Sequence, residues 1–391
     1  MIRLAVLCWL LASGLLHAAS FEAPIRKVLA VGREGAGNGD AAQALQELAS
    51  ATLEGLPILI RSLGGANPLA ANYLRAAIDA LVDRETSAGR PLPVAVLGEI
   101  VLDPQQGDQP RSLAFDLLRR GAPEAAVKLI PGFLSDPNVQ LRRLAVERLI
   151  QEAAAVNKAN QGQAAALLYS QAMSAARDVD QIRSISLILA KQGQTVDIPR
   201  RMGFLMHWDV IGPFDNSGLA GFDRVYPPET EWKPEAAYEG KSGEVRWQAF
   251  VTSDPYGKVD LNAPFGMLKE TVGYARTVFN SGKEQDVELR LGTKNAWKIW
   301  LNGELLFGRD EYHRGQRIDQ YVLPAKFRSG ANEILVKCCQ NEQTQDWTVQ
   351  WEFQLRICDS TGAAVLATDR PPTPQAQEQR RRPNPAPSPK P

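Results

Sequence analysis

The sequence predicts an α+β multidomain chain, an α-solenoid followed by an antiparallel jelly-roll β-sandwich. Three observations predict it. Chain breakers recur about every 35 residues through an Ala- and Leu-rich stretch. Around Ile198 the chain turns aromatic, with Gly and Pro as punctuation. From there apolar residues alternate instead of recurring at helical spacing. The two patterns follow one another, which places helices and strands in separate parts of the chain.

Residues 1–20 read as a secretory signal peptide. Arg3 supplies a positive start, and Leu4 to Leu16 form an apolar run of about 13 residues. Ala18, Ala19 and Ser20 are the small residues before a cleavage point ahead of Phe21. The run is shorter than the ~20 residues a helix needs to cross a bilayer. Cys8 lies inside it and no cysteine follows the small residues, which argues against a lipid anchor. The expected product is exported, periplasmic or secreted, with no membrane span.

Composition narrows the partners. The 44 basic and 44 acidic side chains cancel, so nucleic acid is not an expected partner. Export permits disulfides, yet only Cys338, Cys339 and Cys358 remain after cleavage. A simple hairpin near Gln343 would set Cys339 opposite Trp347 and Cys358 near Arg328, so no disulfide is expected. No Cys/His spacing suits zinc, and neither a metal nor another cofactor is expected.

Residues 21–38 are short, mixed and Gly-rich and read as a lead-in linker. The helical repeats are placed at 39–195. Asn67-Pro68, Asp103-Pro104 and Asp136-Pro137 are 36 and 33 residues apart. Each follows one apolar segment (Leu56–Leu63, Val94–Leu102, Ala126–Leu134) and precedes another (Tyr73–Leu81, Leu113–Leu118, Leu141–Leu149). Asn or Asp before Pro starts a helix well, the side chain capping and Pro opening the first turn. Two helices per period of about 35 residues is the mark of a solenoid, whose units bury their apolar faces only by stacking. An irregular helical bundle is the competing reading.

The segment Leu129-Ile130-Pro131-Gly132-Phe133-Leu134-Ser135-Asp136-Pro137-Asn138-Val139-Gln140-Leu141-Arg142-Arg143-Leu144-Ala145 resembles a HEAT repeat. Its first-helix Pro, Asp-Pro turn and Leu-Arg-Arg-x-Ala helix opening carry the likeness. A last pair, about 161–177 and 179–191, looks more like a tetratricopeptide unit or a cap.

The sandwich is placed at 200–368. In Trp347–Ile357, Trp347, Val349, Trp351, Phe353, Leu355 and Ile357 share one face and polar residues the other. That pattern predicts a half-buried antiparallel strand. Glu333–Cys339 alternates likewise, with Ile334, Val336 and Cys338 inward. Asp286–Leu291 and Trp297–Leu301 are further strands, the latter ending in an Asn302-Gly303 hairpin turn. Trp208, Trp347 and Trp351 are expected in the core, and His207 at a strand edge. Residues 369–391, rich in Pro, Gln and Arg, read as a disordered tail.

Most catalytic patterns are missing from the sequence. There is no His-Glu-x-x-His pair and no Gly-x-Ser-x-Gly elbow. Gly240-Lys241-Ser242 lacks the glycine and the flanks of a phosphate loop. No catalytic residue is assigned.

A more specific signal runs through Trp208-Asp209-Val210-Ile211-Gly212-Pro213-Phe214-Asp215-Asn216, Lys298-Ile299-Trp300-Leu301-Asn302-Gly303 and Gly330-x-Asn332-x-Ile334-Leu335-Val336-Lys337. Together these resemble the galactose-binding-like jelly roll, the accessory sandwich of β-galactosidase-type enzymes. They look still more like the version joined to helical repeats in exported bacterial proteins. The resemblance implies a sandwich that often binds sugar at loops on one edge, without catalysis. Relatives often carry acidic residues before the Trp-Leu-Asn-Gly strand. Here the loop is Gly292-Thr293-Lys294-Asn295-Ala296, which offers few hard ligands for calcium.

Six residues are the candidate ligand contacts: Trp300, Tyr312, His313, Arg314, Asp215 and Asn216. Trp300 points away from Ile299 and Leu301, either packing under a loop or forming a platform for a sugar ring. Glu311-Tyr312-His313-Arg314-Gly315 gathers an aromatic, donors and an acceptor, or is simply a solvated loop. Asp215 and Asn216 are either turn formers or ligands. The expected function is an exported, non-catalytic binding or scaffold protein. Its solenoid would hold a protein partner, and its sandwich a glycan or an adjacent domain. The alternative is an enzyme, or enzyme subunit, of polysaccharide breakdown with the sandwich as accessory.

Overall fold

A computed structural model describes residues 21–374. The expected signal peptide, 1–20, and the tail from 375 onward lie outside the described residues. The chain divides into two compact units, one ending at Ala176 and the other beginning at Arg177. The helix Val179–Lys191 therefore belongs with the second unit.

The first unit is helical. Pro68–Ser87 shows why its helices form where they do. Asn67 Oδ1 accepts from the amides of Leu69 and Ala70, both at 3.0 Å, and Pro68 opens the first turn. Ala70, Leu74, Ala77, Ile78, Leu81 and Val82 fall on the buried stripe. Asn67 Nδ2 also donates to Val31 O at 2.7 Å, tying this cap to a segment 36 residues earlier.

Two expected caps differ. Asp103 caps only the short 3-10 turn Pro104–Gln106, and the next helix starts at Asp108. Asn138, not Asp136, caps Val139–Lys158. Asp136 is engaged elsewhere, accepting from Arg111 Nη1 and Nη2 at 2.8 and 2.6 Å. The expected linker 21–38 is not loose either. It is helical over 21–29, and Ile25, Val28 and Val31 are buried in the core of this unit. Its glycines hid that short apolar stripe.

The second unit holds twelve named strands among the described residues, all paired antiparallel. Six form one sheet in the order β4 (Gln248–Val251), β1 (His207–Asp215), β6 (Thr271–Ser281), β11 (Gly330–Gln340), β8 (Ala296–Leu301) and β9 (Glu304–Arg309). Four form another, β10 (Tyr321–Phe327), β7 (Gln285–Thr293), β12 (Glu352–Cys358) and β5 (Lys258–Asp260). A small ribbon pairs β2 (Ala237–Gly240) with β3 (Gly243–Arg246). Pro324 sits in β10, at a sheet edge, where its missing N–H leaves no gap in the ladder.

The two large sheets share one core. Trp208, Phe279, Trp297, Ile299 and Val336 meet Leu289, Leu291, Phe353 and Leu355 there. Trp208 and Phe353 pack edge to face at 5.2 Å. Two of the buried indoles are hydrogen-bonded, Trp351 Nε1 to Cys338 O at 3.0 Å and Trp208 Nε1 to Leu205 O at 3.1 Å, whereas Trp297 Nε1 has no partner among the described residues. Asn302 and Gly303 make the β8–β9 turn at φ 54° and 84°, the pair of left-handed residues such a turn requires.

Several strand expectations need correction. The closing strand begins at Glu352, and Trp347 lies in a 3-10 turn, 58% exposed, instead of in the core. β11 and β12 do not form a hairpin, because they belong to different sheets. From Ile334 onward in β11, and all along β12, both faces are buried rather than one. Outside the six-stranded sheet, Phe222, Tyr226 and Val245 cover Trp300, Leu335 and Cys339. Outside the four-stranded sheet, Arg356 is 1% exposed and paired with Asp319. Cys338, Cys339 and Cys358 are unpaired and buried. The expected tail is placed as far as residue 374. Arg370, Pro371 and Pro372 line a cavity with His207, and Thr373 Oγ1 donates to Asp197.

Candidate functional site

At one end of the sandwich three long connections converge, those after β1, β9 and β11. Asn216 is fully buried there and donates to Tyr312 Oη at 3.2 Å and to Gln340 O at 2.9 Å. Burial pushes the Tyr312 hydroxyl well above its ordinary value, so it stays protonated at neutral pH. His313 follows with φ 59°, a left-handed conformation. Its amide donates to Lys294 O at 2.5 Å, and its Nε2 lies 3.0 Å from Asn341 Oδ1. The exposed Trp347 ring meets the imidazole edge to face at 5.2 Å.

Of the six candidate residues, the fold joins Asn216, Tyr312 and His313. Asp215 lies beside them but serves its own turn, accepting from Ser217 N and Oγ at 3.2 and 2.7 Å. Those bonds, helped by Lys241 at 3.4 Å, hold its carboxyl below the usual range. Arg314 is exposed and faces Glu311 at 3.6 Å. Trp300 is 7% exposed, packed under the segment that carries Phe222 and Tyr226, not open as a platform.

A larger feature lies on the outer face of the four-stranded sheet. An open cleft of about 460 Å³ runs between β12, β5, the loop 316–318 and the helix Val179–Lys191. Gly292 of β7 lets that loop approach, since a Cβ there would overlap Arg317 O. Tyr256, Gln316, Gln350 and Gln354 supply neutral hydrogen-bonding groups. Lys258, Lys294, Arg183, Arg317, Asp254 and Glu352 supply charge.

The cleft continues toward the loop cluster through Lys294. Its carbonyl holds His313, and its Nζ donates to Gln350 Oε1 at 3.0 Å. Glu352 is 8% exposed and lies 3.4 Å from Lys258 Nζ. Burial pushes the Glu352 carboxyl up, and Lys258 offsets only part of that. Asp254 is held by its own turn, accepting from Tyr256 N at 2.8 Å and Lys258 N at 3.3 Å.

Sequence reasoning missed this cleft. Its lining comes from five separated segments, so no local motif marks it. The one available signal was Lys294, a lysine in the loop before the Trp-Leu-Asn-Gly strand. Among the described residues no His/Cys/Asp/Glu group could hold a metal ion, and no helix is long and apolar enough to cross a membrane.

No family model matches the chain, and no curated protein matches it. Solved structures give remote similarities. A β-glucosidase from Kluyveromyces marxianus aligns at 13% identity over 32% of this chain and 15% of its own, with a TM-score of 0.22. An FMN-binding β-glucuronidase from Facaelibacterium prausnitzii L2-6 aligns at 13% identity over 39% and 21%, TM-score 0.22. A GH31 α-xylosidase from Xanthomonas citri aligns at 9% identity over 41% and 18%, TM-score 0.22. The chain thus spans about a fifth or less of these proteins.

Proposed function

We propose that this chain is an exported, non-catalytic binding protein whose β unit holds a glycan and whose helical unit holds a protein partner. The open cleft carries the glycan reading. It is roomy, at about 460 Å³, and glutamines and a tyrosine alternate with charged groups along it, a lining suited to sugar hydroxyls. The exposed Trp347 beside His313 adds an apolar face for a sugar ring near the loop cluster. Both carboxylates of the cleft have structural work, Asp254 in its turn and Glu352 with Lys258, which favours binding over hydrolysis.

The helical unit is read as a solenoid of HEAT-like repeats. Its polar links between successive helices favour stacking: Asn67 to Val31, Arg111 to Asp136, and Asn138 Nδ2 to Asp108 O at 3.0 Å. A groove of about 440 Å³ crosses two of these helices, bordered by Asn72, Arg75, Ser112 and Asp116, and offers a surface for a partner.

The test is a glycan array probed with the full chain. Retention of at least one glycan, lost on Trp347→Ala with circular dichroism unchanged, is the expected result. Trp347 is the informative position because it is exposed, whereas Trp300→Ala would damage the packing under Phe222. A blank array, or turnover of a polysaccharide by the pure protein, overturns the reading. Export is checked separately by sequencing the amino terminus of protein recovered outside the cytoplasm, where Phe21 is expected first.

A further inference from the structure

We propose that the cleft on the outer face of the four-stranded sheet selects an anionic oligosaccharide, one bearing carboxylate or sulfate groups. This rests on the glycan reading above and names its ligand class.

The cleft carries unmatched positive charge. Four cations line it, Arg183, Lys258, Lys294 and Arg317, against two carboxylates, Asp254 and Glu352. Only Lys258 is matched, to Glu352 at 3.4 Å. Lys294 meets a neutral partner, Gln350 Oε1, at 3.0 Å. Arg183 and Arg317 are exposed and form no ion pair among the described residues. Asp254 spends its Oδ1 on the amides of Tyr256 and Lys258. The chain as a whole is formally neutral, so this excess is local to the cleft.

Cations without carboxylate partners inside a concave site focus potential on an incoming anion. Lys294 contributes most to specificity. It is part-buried, and its Nζ is anchored on Gln350 Oε1, so its ammonium is held rather than free to swing. The glutamines beside it suit the hydroxyls of the same ligand. Glu352 opposes the anion, since its carboxylate shares the cleft. Burial already pushes that carboxyl up, so the cleft becomes more cationic as pH falls.

The experiment measures binding of the full chain to three probes by calorimetry: trigalacturonate, its fully methyl-esterified form, and a sulfated galactan trimer. The ester has the same sugar ring and no charge. At least one charged trimer should bind, with the ester weaker by fivefold or more. Lys294→Gln should weaken the charged trimer about two- to fivefold, the range of one partly exposed charge contact. Glu352→Gln should tighten it by a similar factor. A misfolded variant cannot produce that gain, so this arm keeps the test decisive if Lys294→Gln harms the fold. Equal binding of ester and acid overturns the anionic inference and leaves the glycan reading standing. Failure of all three probes overturns it as well, and the glycan reading falls with it only if the array is also blank. A carboxylate or sulfate preference between the charged trimers identifies which anion the cleft takes.

Discussion

In the helical unit the buried Arg111 and Glu85 find their partners within 25 residues, whereas in the β unit the buried Lys337 and Arg356 also reach back more than 100. Arg111, 2% exposed, reaches Asp136 only 25 residues on, and Val101 O only 10 residues back. Glu85 pairs with Arg84 and Arg90 along its own helix end. In the β unit the side chain of Lys337 is fully buried on β11. It donates to Phe222 O at 3.0 Å, Arg224 O at 2.8 Å and Glu229 Oε1 at 2.8 Å, all more than 100 residues earlier. Arg356 Nη1 donates to Met202 O at 3.1 Å across 154 residues. Stacked helices satisfy charge between neighbours, whereas a sandwich satisfies it through segments that return from elsewhere in the chain.

The comparison predicts where charge deletion costs most. Lys337→Met should be the most damaging change, at about 3–5 kcal/mol, because it leaves the Glu229 carboxylate, whose side chain is 9% exposed, with no cation and only the Tyr274 hydroxyl, and strips two carbonyls of their donor. Urea unfolding measures the loss, and proteolysis between residues 217 and 236 should rise as the cover over the sheet loosens. Adding Glu229→Gln should recover part of the stability. A cost below about 1 kcal/mol would show that the long-range pair is not what holds the cover.

Arg111→Met is the matching change in the helical unit. It removes a two-pronged bond, but Asp136 keeps the Asn138 amide at 2.8 Å and is 11% exposed, so its carboxylate retains a partner and some water. The expected cost is about 2 kcal/mol, the scale of hydrogen bonds to charged groups. If it equals or exceeds that of Lys337→Met, the distinction between the units fails.

The same difference decides what could be read from sequence. Val94–Leu102 and Val179–Lys191 have the ends that their apolar spacing suggests, and Asn67-Pro68 caps as its residue types require. These are local signals. Alternation located β7, β8 and β11 as well, and it gave the correct inward face of β11. It could not show that Leu335, Lys337 and Cys339 would be covered too, because their cover is an irregular segment more than 100 residues distant. Trp347 fell on the apolar face by parity, but parity has no meaning once the chain turns at 346–348 and restarts as a strand at Glu352. The site divides likewise. Tyr312 and His313 were visible as neighbours in one polar loop. The link from Tyr312 to Asn216 spans 96 residues, and the cleft lining is gathered from five separated segments.

Glu352→Gln gives the smallest effect and the finest test, because its sign depends on pH. Burial dominates at Glu352 and raises its carboxyl; Lys258 and Lys294 favour its charge, and Asp260 opposes it. A group whose folded value is raised favours the folded state below its unfolded value of about 4.5, and that contribution is lost as pH rises through the folded value. At pH 7 the wild-type protein therefore carries a penalty that the glutamine variant lacks. The variant should be the more stable of the two at pH 7, and its advantage should shrink as pH falls toward 4.5. Paired urea titrations across that window measure the crossing directly. If the advantage instead grows on acidification, the Lys258 ion pair outweighs the cost of burial. The carboxylate would then be a stabilising fixture of the cleft, and its removal should no longer favour an anionic ligand without loss of stability.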